Sequence, residues 1–260
     1  DPDSLCDGVS FPGQTVSPPL LGVEEIKGFL VIHQQTVPHP GALGSTTLAQ
    51  VHGDFTIEGN DQLLDLDGLG KLEKVGGYLR VEHNHALTSL AGLHSLTSVD
   101  HLWVVDNDAL QHLEDLEGLS SVQDLAVAEN LALTHFGGAW NLTQVPGAFQ
   151  VGINEQLLDF SGLEKLQHIG GAMFVWDNGA MTSLAGLESL TSAAHLFIYG
   201  NGALESLDGL DALSSVEGTV RIYNNPSLCQ HEAEAFVEAL GPGGPVEVYN
   251  NKICLSPPPP

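Results

Sequence analysis

The apolar positions of this chain recur in one unit that is neither helical nor simply alternating. The segments GDFTIEGN, GGYLRVEHN, DHLWVVDN, QDLAVAEN, GAFQVGIN, GAMFVWDN, AHLFIYGN, GTVRIYNN and PVEVYNN share an apolar residue, any residue, an apolar residue, two more residues, then Asn. The indexed residues are Asn60, Asn84, Asn107, Asn130, Asn154, Asn178, Asn201, Asn225 and Asn251, at spacings of 24, 23, 23, 24, 24, 23, 24 and 26. GFLVIHQQ fits upstream with Gln35 in the Asn place, which gives about ten turns. Self-similarity near this period is the mark of a solenoid.

The rest of the unit is equally regular. Three residues after the Asn stands Leu63, Leu87, Leu110, Leu133, Leu157, Met181, Leu204 or Leu228. Eight after stands Gly68, Gly92, Gly138, Gly162, Gly186 or Gly209, with Asp115 the exception, and a Leu follows except at Ala139. Further Leu and Val columns complete each turn. A single turn of this length cannot bury its own apolar side chains, so turns must stack and bury each column against its copies above and below. The mixture of period-2 stretches and three-residue steps suits short strands joined by tight corners. An inward Asn at such a corner can bond main-chain groups of its own and adjacent turns, which makes the Asn column structural.

The pattern N-x-x-L-x-x-L-x-G-L-x-x-L-x-x-V-x-G-x-L-x-V resembles the receptor L domain of insulin- and EGF-receptor ectodomains. It is also similar to GPI-anchored fungal cell-wall proteins and bacterial secreted proteins that carry the same repeat. The stretch YNNPSLCQHEAEAFVEAL…VEVYNNKIC looks like the closing cap of that family. The resemblance covers residues 28–255. It implies an all-β chain with a short C-terminal capping helix, built as a right-handed parallel β-helix or solenoid. It also implies an extracellular or cell-surface location (periplasmic or outer-envelope in a bacterium), ligand binding on the broad sheet face, no cofactor and no enzymatic activity.

On this reading residues 1–27 are an irregular N-terminal cap, 28–255 the solenoid with its C-terminal cap at 226–255, and 256–260 a Pro-rich linker. Cys229–Leu240 reads as a short helix with Ala233, Phe236, Val237 and Leu240 on one stripe and Gly241-Pro242 at its end. Cys229 and Cys254 occupy equivalent corners of successive turns, so stacking predicts a disulfide; two free buried thiols are the alternative. Cys6 is left over.

Charge narrows the partners. The chain has 7 Lys+Arg against 33 Asp+Glu, a formal charge of −26. Nucleic acid and anionic membranes both require Lys and Arg, so they are poor partners. No apolar run approaches the roughly 18–20 residues of a membrane span. Asn141-Leu142-Thr143 is a glycosylation sequon. There is no nucleophile elbow, P-loop, HExxH or CxxC, and the 12 His are scattered.

Two surface features remain. The residues four and two before each Asn point away from the core. They supply Trp103, Phe174, Phe197 and Arg221 in one column and Trp176, Tyr199, Tyr223 and Tyr249 in the other. A patch of aromatic rings and Arg is the composition of interface hot spots. It predicts a protein or glycan ligand or a homodimer contact. A structural envelope protein, in which the solenoid is a rigid spacer that self-associates, is the alternative. The second feature is an acidic corner of Glu58, Asp61, Glu82, His83, His85, Asp106, Asp108 and Glu129, in which His83, Asp106 and Glu129 would stack in one column; carboxylates with imidazole there could hold Ca²⁺ or a transition metal. Solvated acids serving solubility are the competing explanation there.

Overall fold

The computed structural model describes residues 9–11, 22–33, 47–138 and 140–254. Its fifteen strands form one sheet in which every pairing is parallel, wound as a β-solenoid. The main path runs β1 (Val9–Phe11), β3 (Leu30–His33), β5 (Phe55–Glu58), β6 (Lys74–Glu82), β7 (Ser98–Val105) and β8 (Ser121–Ala128). It continues through β10 (Phe149–Gly152), β11 (His168–Trp176), β12 (Ser192–Tyr199), β14 (Val220–Tyr223) and β15 (Val246–Tyr249). The short strands β4 (Gln50–Val51), β9 (Gln144–Val145) and β13 (Ser215–Val216) pair with the first halves of β6, β11 and β12, and β2 (Glu25–Ile26) pairs with β4. Strands β1 and β2 lie within the stretch read from sequence as an irregular cap, so regular pairing begins earlier than that reading placed it. Gln35, the Pro-rich end and Cys6 fall outside the described residues.

Register explains the core. Successive turns pair like with like, as in Phe149↔Met173, Val151↔Val175, Leu196↔Val220 and Ile198↔Ile222. These inward columns are fully buried, and each such side chain contributes roughly 1.5–3 kcal/mol by leaving water. Among the glycines eight after the Asn, Gly92 shows what the corner requires. Its φ is +110°, and an added Cβ would collide with the Leu66 carbonyl of the turn before. Asp115 stands at the same place two residues into a 3-10 turn, Glu114–Leu116, a local alternative to the glycine corner. Trp140 is fully buried and packs edge-on against Phe136.

The Asn column is buried throughout and forms a continuous ladder. Each side chain from Asn84 to Asn225 accepts at Oδ1 from the backbone N–H and Nδ2 of the preceding Asn. Its own Nδ2 donates to a carbonyl of the turn before, for example Asn84 to Ile57 at 2.9 Å. The ladder ends on a residue outside the repeat. Gln230 opens the helix α1 (Gln230–Leu240), and its Oε1 accepts from Asn251 N–H (3.3 Å) and Nδ2 (3.1 Å). Its Nε2 donates to the Val248 carbonyl at 2.9 Å, so Gln230 does for the last turn what an Asn does for the others.

Helix α1 lies over this end, with Ala233 and Val237 buried and Phe236 and Leu240 packed at the margin. Gly241, left-handed at φ 55°, closes it through its N–H to the Val237 carbonyl. The predicted disulfide is present: Cys229 and Cys254 are joined at a Cα–Cα distance of 5.5 Å.

Candidate functional site on the outer face of the sheet

The outward columns carry the aromatic residues as the alternation requires, and packing across the strands arranges them in a way the pattern does not specify. Phe174 and Phe197 stack with centroids 4.6 Å apart and planes 9° from parallel. Tyr199, Tyr223 and Tyr249 continue as a second stack, at 4.9 Å and 5.0 Å. These separations match the roughly 4.8 Å strand spacing: identical rotamers on adjacent parallel strands bring rings face to face. The stacks cover both faces of Tyr223 and one face each of Phe174, Phe197, Tyr199 and Tyr249. Ring edges, phenol hydroxyls and the outer faces at the ends of the two stacks remain for a partner, with Arg221 near the outer face of Phe197.

Arg221 lies 5.9 Å from the Phe197 centroid and makes two contacts to Glu247, Nε to Oε2 at 3.1 Å and Nη2 to Oε1 at 3.2 Å. Burial, then the neighbouring Tyr223 phenol and the Asp177 carboxylate, raise the Tyr199 pKa above its ordinary value. Tyr223 is raised by burial, then by Tyr249, against the lowering effect of Arg221.

Trp103, which the sequence places in the same outward column, belongs to a separate group three strands away. Between β7 and β11 the outward positions hold Ala126, Ala128, Gln150 and Gly152. Trp103 packs edge-on against Tyr78 at 5.4 Å, Tyr78 stacks on His101 at 4.3 Å, and the Arg80 guanidinium sits 4.2 Å from the Tyr78 centroid. His101 Nδ1 is 2.6 Å from Asp124 Oδ2. Tyr78 and His101 stand six before their Asn, one outward step beyond the two columns singled out from sequence. The same period of two would have found them.

Trp176 differs from the other rings. A Cβ built on Gly152, the paired residue of β10, would collide with Cε2, Cδ2 and Cζ2 of the indole. Cε2 and Cδ2 form the bond shared by the two rings, and that bond can be approached only through a ring face. The indole therefore lies flat on the bare backbone of Gly152.

At the acidic corner the structure draws together a different three of the residues that the sequence placed there. His85 Nδ1 is 3.0 Å from Asp108 Oδ2 and 3.9 Å from Asp106 Oδ1, and the ligand atoms of these three residues lie within 4.8 Å of one another. His83 touches Asp106 at 3.5 Å, while Glu129 is outside the group. The reason is the corner itself. His83, Asp106 and Glu129 all have a left-handed backbone, with φ of 55–58°, and the chain folds the residue after each Asn back beside the residue before the next. The imidazole–carboxylate contacts of His83 and His85 hold this partly exposed group together.

Asn141, the sequon residue, is exposed, and its side chain bonds the Glu117 carbonyl and Lys165. Among the described residues no helix is long and apolar enough to cross a membrane. Comparison with protein-family models, with curated proteins and with solved structures returns no match.

Proposed function

We propose that the chain is a non-enzymatic recognition module of the receptor L-domain type, which binds a protein partner through the aromatic face of β11, β12, β14 and β15. The observation that carries this reading is the double ring stack, Phe174–Phe197 and Tyr199–Tyr223–Tyr249, on the outer face of a sheet whose opposite face already buries the core. Sugars need open ring faces, and the stacks cover six of the ten faces of these rings, with Arg221 near a seventh. Proteins pack against ring edges and accept or donate at phenol hydroxyls, which favours a protein over a glycan. The Cys229–Cys254 disulfide supports an oxidising, extracytoplasmic setting.

The test pairs wild type with the double variant Phe197→Ser/Tyr199→Ser. Both are used as bait against surface and secreted proteins of the source organism and on a glycan array, with sedimentation velocity to read self-association. A protein ligand retained by wild type and lost by the variant, at unchanged melting temperature, is the expected result. Equal retention by both would overturn the proposal. Concentration-dependent dimers abolished by the variant would replace the foreign partner with a second copy, which is the spacer reading.

A further inference from the structure

We propose that Trp176, laid flat on Gly152, is the anchor point of that face and receives a cationic side chain, Arg or Lys, of a basic partner. The inference rests on the recognition reading above and gives the partner its chemistry. One indole face is against Gly152. Trp176 is only partly buried, and the face turned away from Gly152 is the one left for a partner. An open indole face is the best acceptor for a cation over a ring, more so than Tyr or Phe.

The surroundings select for charge. In the column one step beyond Trp176, Asp177 and Glu129 flank Ile153 on neighbouring strands, and Glu155 follows Asn154 at the same corner; all three acids are exposed. Asp177 acts far enough across the face to raise the phenol pKa of both Tyr199 and Tyr223, after burial and the neighbouring phenol. The chain's two arginines, Arg80 and Arg221, are both on this face, but each is already paired, with Asp54 at 3.7 Å and with Glu247 at 3.1 Å. Neither competes for the indole. A formal charge of −26 adds long-range attraction for a basic segment. A phosphate-bearing or acidic ligand would meet repulsion at every step.

The glycine under the indole is part of the site. At the equivalent place the strand before has Ala128 and the strand after has Trp176 itself. Any side chain at 152 would lift the ring off the sheet and remove the platform. Gly152→Val therefore tests the geometry without touching the indole.

The experiment uses the full chain and a hexa-arginine peptide, followed by calorimetry and tryptophan fluorescence at about 0.15 M salt, where the Debye length is about 8 Å and diffuse attraction is reduced. Hexa-citrulline, which keeps the planar group without the charge, and chitohexaose are run beside it. Expected is binding of hexa-arginine that weakens roughly 10- to 30-fold in Trp176→Ala and in Gly152→Val, stays unchanged in Trp103→Ala, and is absent with hexa-citrulline. Trp176→Phe, which keeps a ring in place, should fall between wild type and Ala. Equal hexa-arginine affinity in wild type and Trp176→Ala would mean that surface acids alone hold the peptide, and would overturn the inference. Preference for citrulline or chitohexaose would overturn the cationic class. If a protein partner proves sensitive to Phe197→Ser/Tyr199→Ser but indifferent to Trp176→Ala and Gly152→Val, this inference fails while the wider recognition reading survives.

Discussion

Replacing Asn130 by Ala removes a rung from the middle of the ladder, and the hydrogen bonds specify what it leaves behind. The side chain makes five: it accepts from Asn107 N–H and Nδ2 at 3.2 Å each, and donates to Val104 O and Ala128 O at 2.9 Å and to Asn154 Oδ1 at 3.3 Å. Not all of the partners become orphans. Asn107 Nδ2 keeps the Val81 and Val105 carbonyls, Ala128 O keeps the Asp106 N–H, and Asn154 Oδ1 keeps the backbone N–H of residue 130. The severe loss falls on the buried Asn107 N–H, and the Val104 carbonyl loses its Asn donor. At about 1–3 kcal/mol for each buried group left unpaired, with the Asn107 N–H counted in full, the expected destabilisation is about 3 kcal/mol. For a chain of this size that is a fall in melting temperature of roughly 6–12 °C. The assay is thermal unfolding by circular dichroism, with Asn178→Ala as a second rung. Asn141→Ala serves as an exposed control, expected within about 0.5 kcal/mol of wild type. If both rung variants melt within a degree of wild type, the ladder is not what holds the corner together.

Three further outcomes follow from the same structure. Ile153 is a β-branched residue at φ 56° in a place where other turns have Asn224 and Asn250, so Ile153→Asn should raise stability by about 1 kcal/mol; a lower melting temperature would count against backbone strain there. Cys229→Ser/Cys254→Ser opens a loop spanning 25 residues and should lower stability by about 3 kcal/mol by the chain-entropy relation, read as a shift in denaturation midpoint. Burial raises the Asp115 pKa above 3.8, partly opposed by His112. An acid raised in the folded state binds more protons there than when unfolded, so its contribution falls as pH rises from 3.8 through the folded value. Asp115→Asn should therefore gain stability relative to wild type at pH 7 and lose that advantage below about pH 4; a constant difference across this range would refute the assignment.

Much of this protein is legible in its sequence, because a solenoid is quasi-one-dimensional. Each side chain packs on its own copy one turn away, so a column read along the chain is also a column in space. That is why the inward pairs such as Leu79/Val81 and Leu196/Ile198, the buried Asn ladder, the capping helix and the Cys229–Cys254 bond were all predictable from spacing. The same logic placed Phe174, Trp176, Phe197, Tyr199, Arg221, Tyr223 and Tyr249 on one outer face. What spacing could not give is how unlike neighbours settle against one another. Whether a ring stands in a stack, like Tyr199 on Tyr223, or lies down, like Trp176 on Gly152, depends on the bulk of the residue one strand over. The period is blind to that quantity. The same dependence gathers Trp103 with Tyr78 and Arg80. It substitutes His85 and Asp108 for His83 and Glu129 beside Asp106, and enlists Gln230, a residue outside the repeat, to finish the ladder. Periodicity assigns each residue to a face, and contacts between residues some 24 positions apart decide what that face presents.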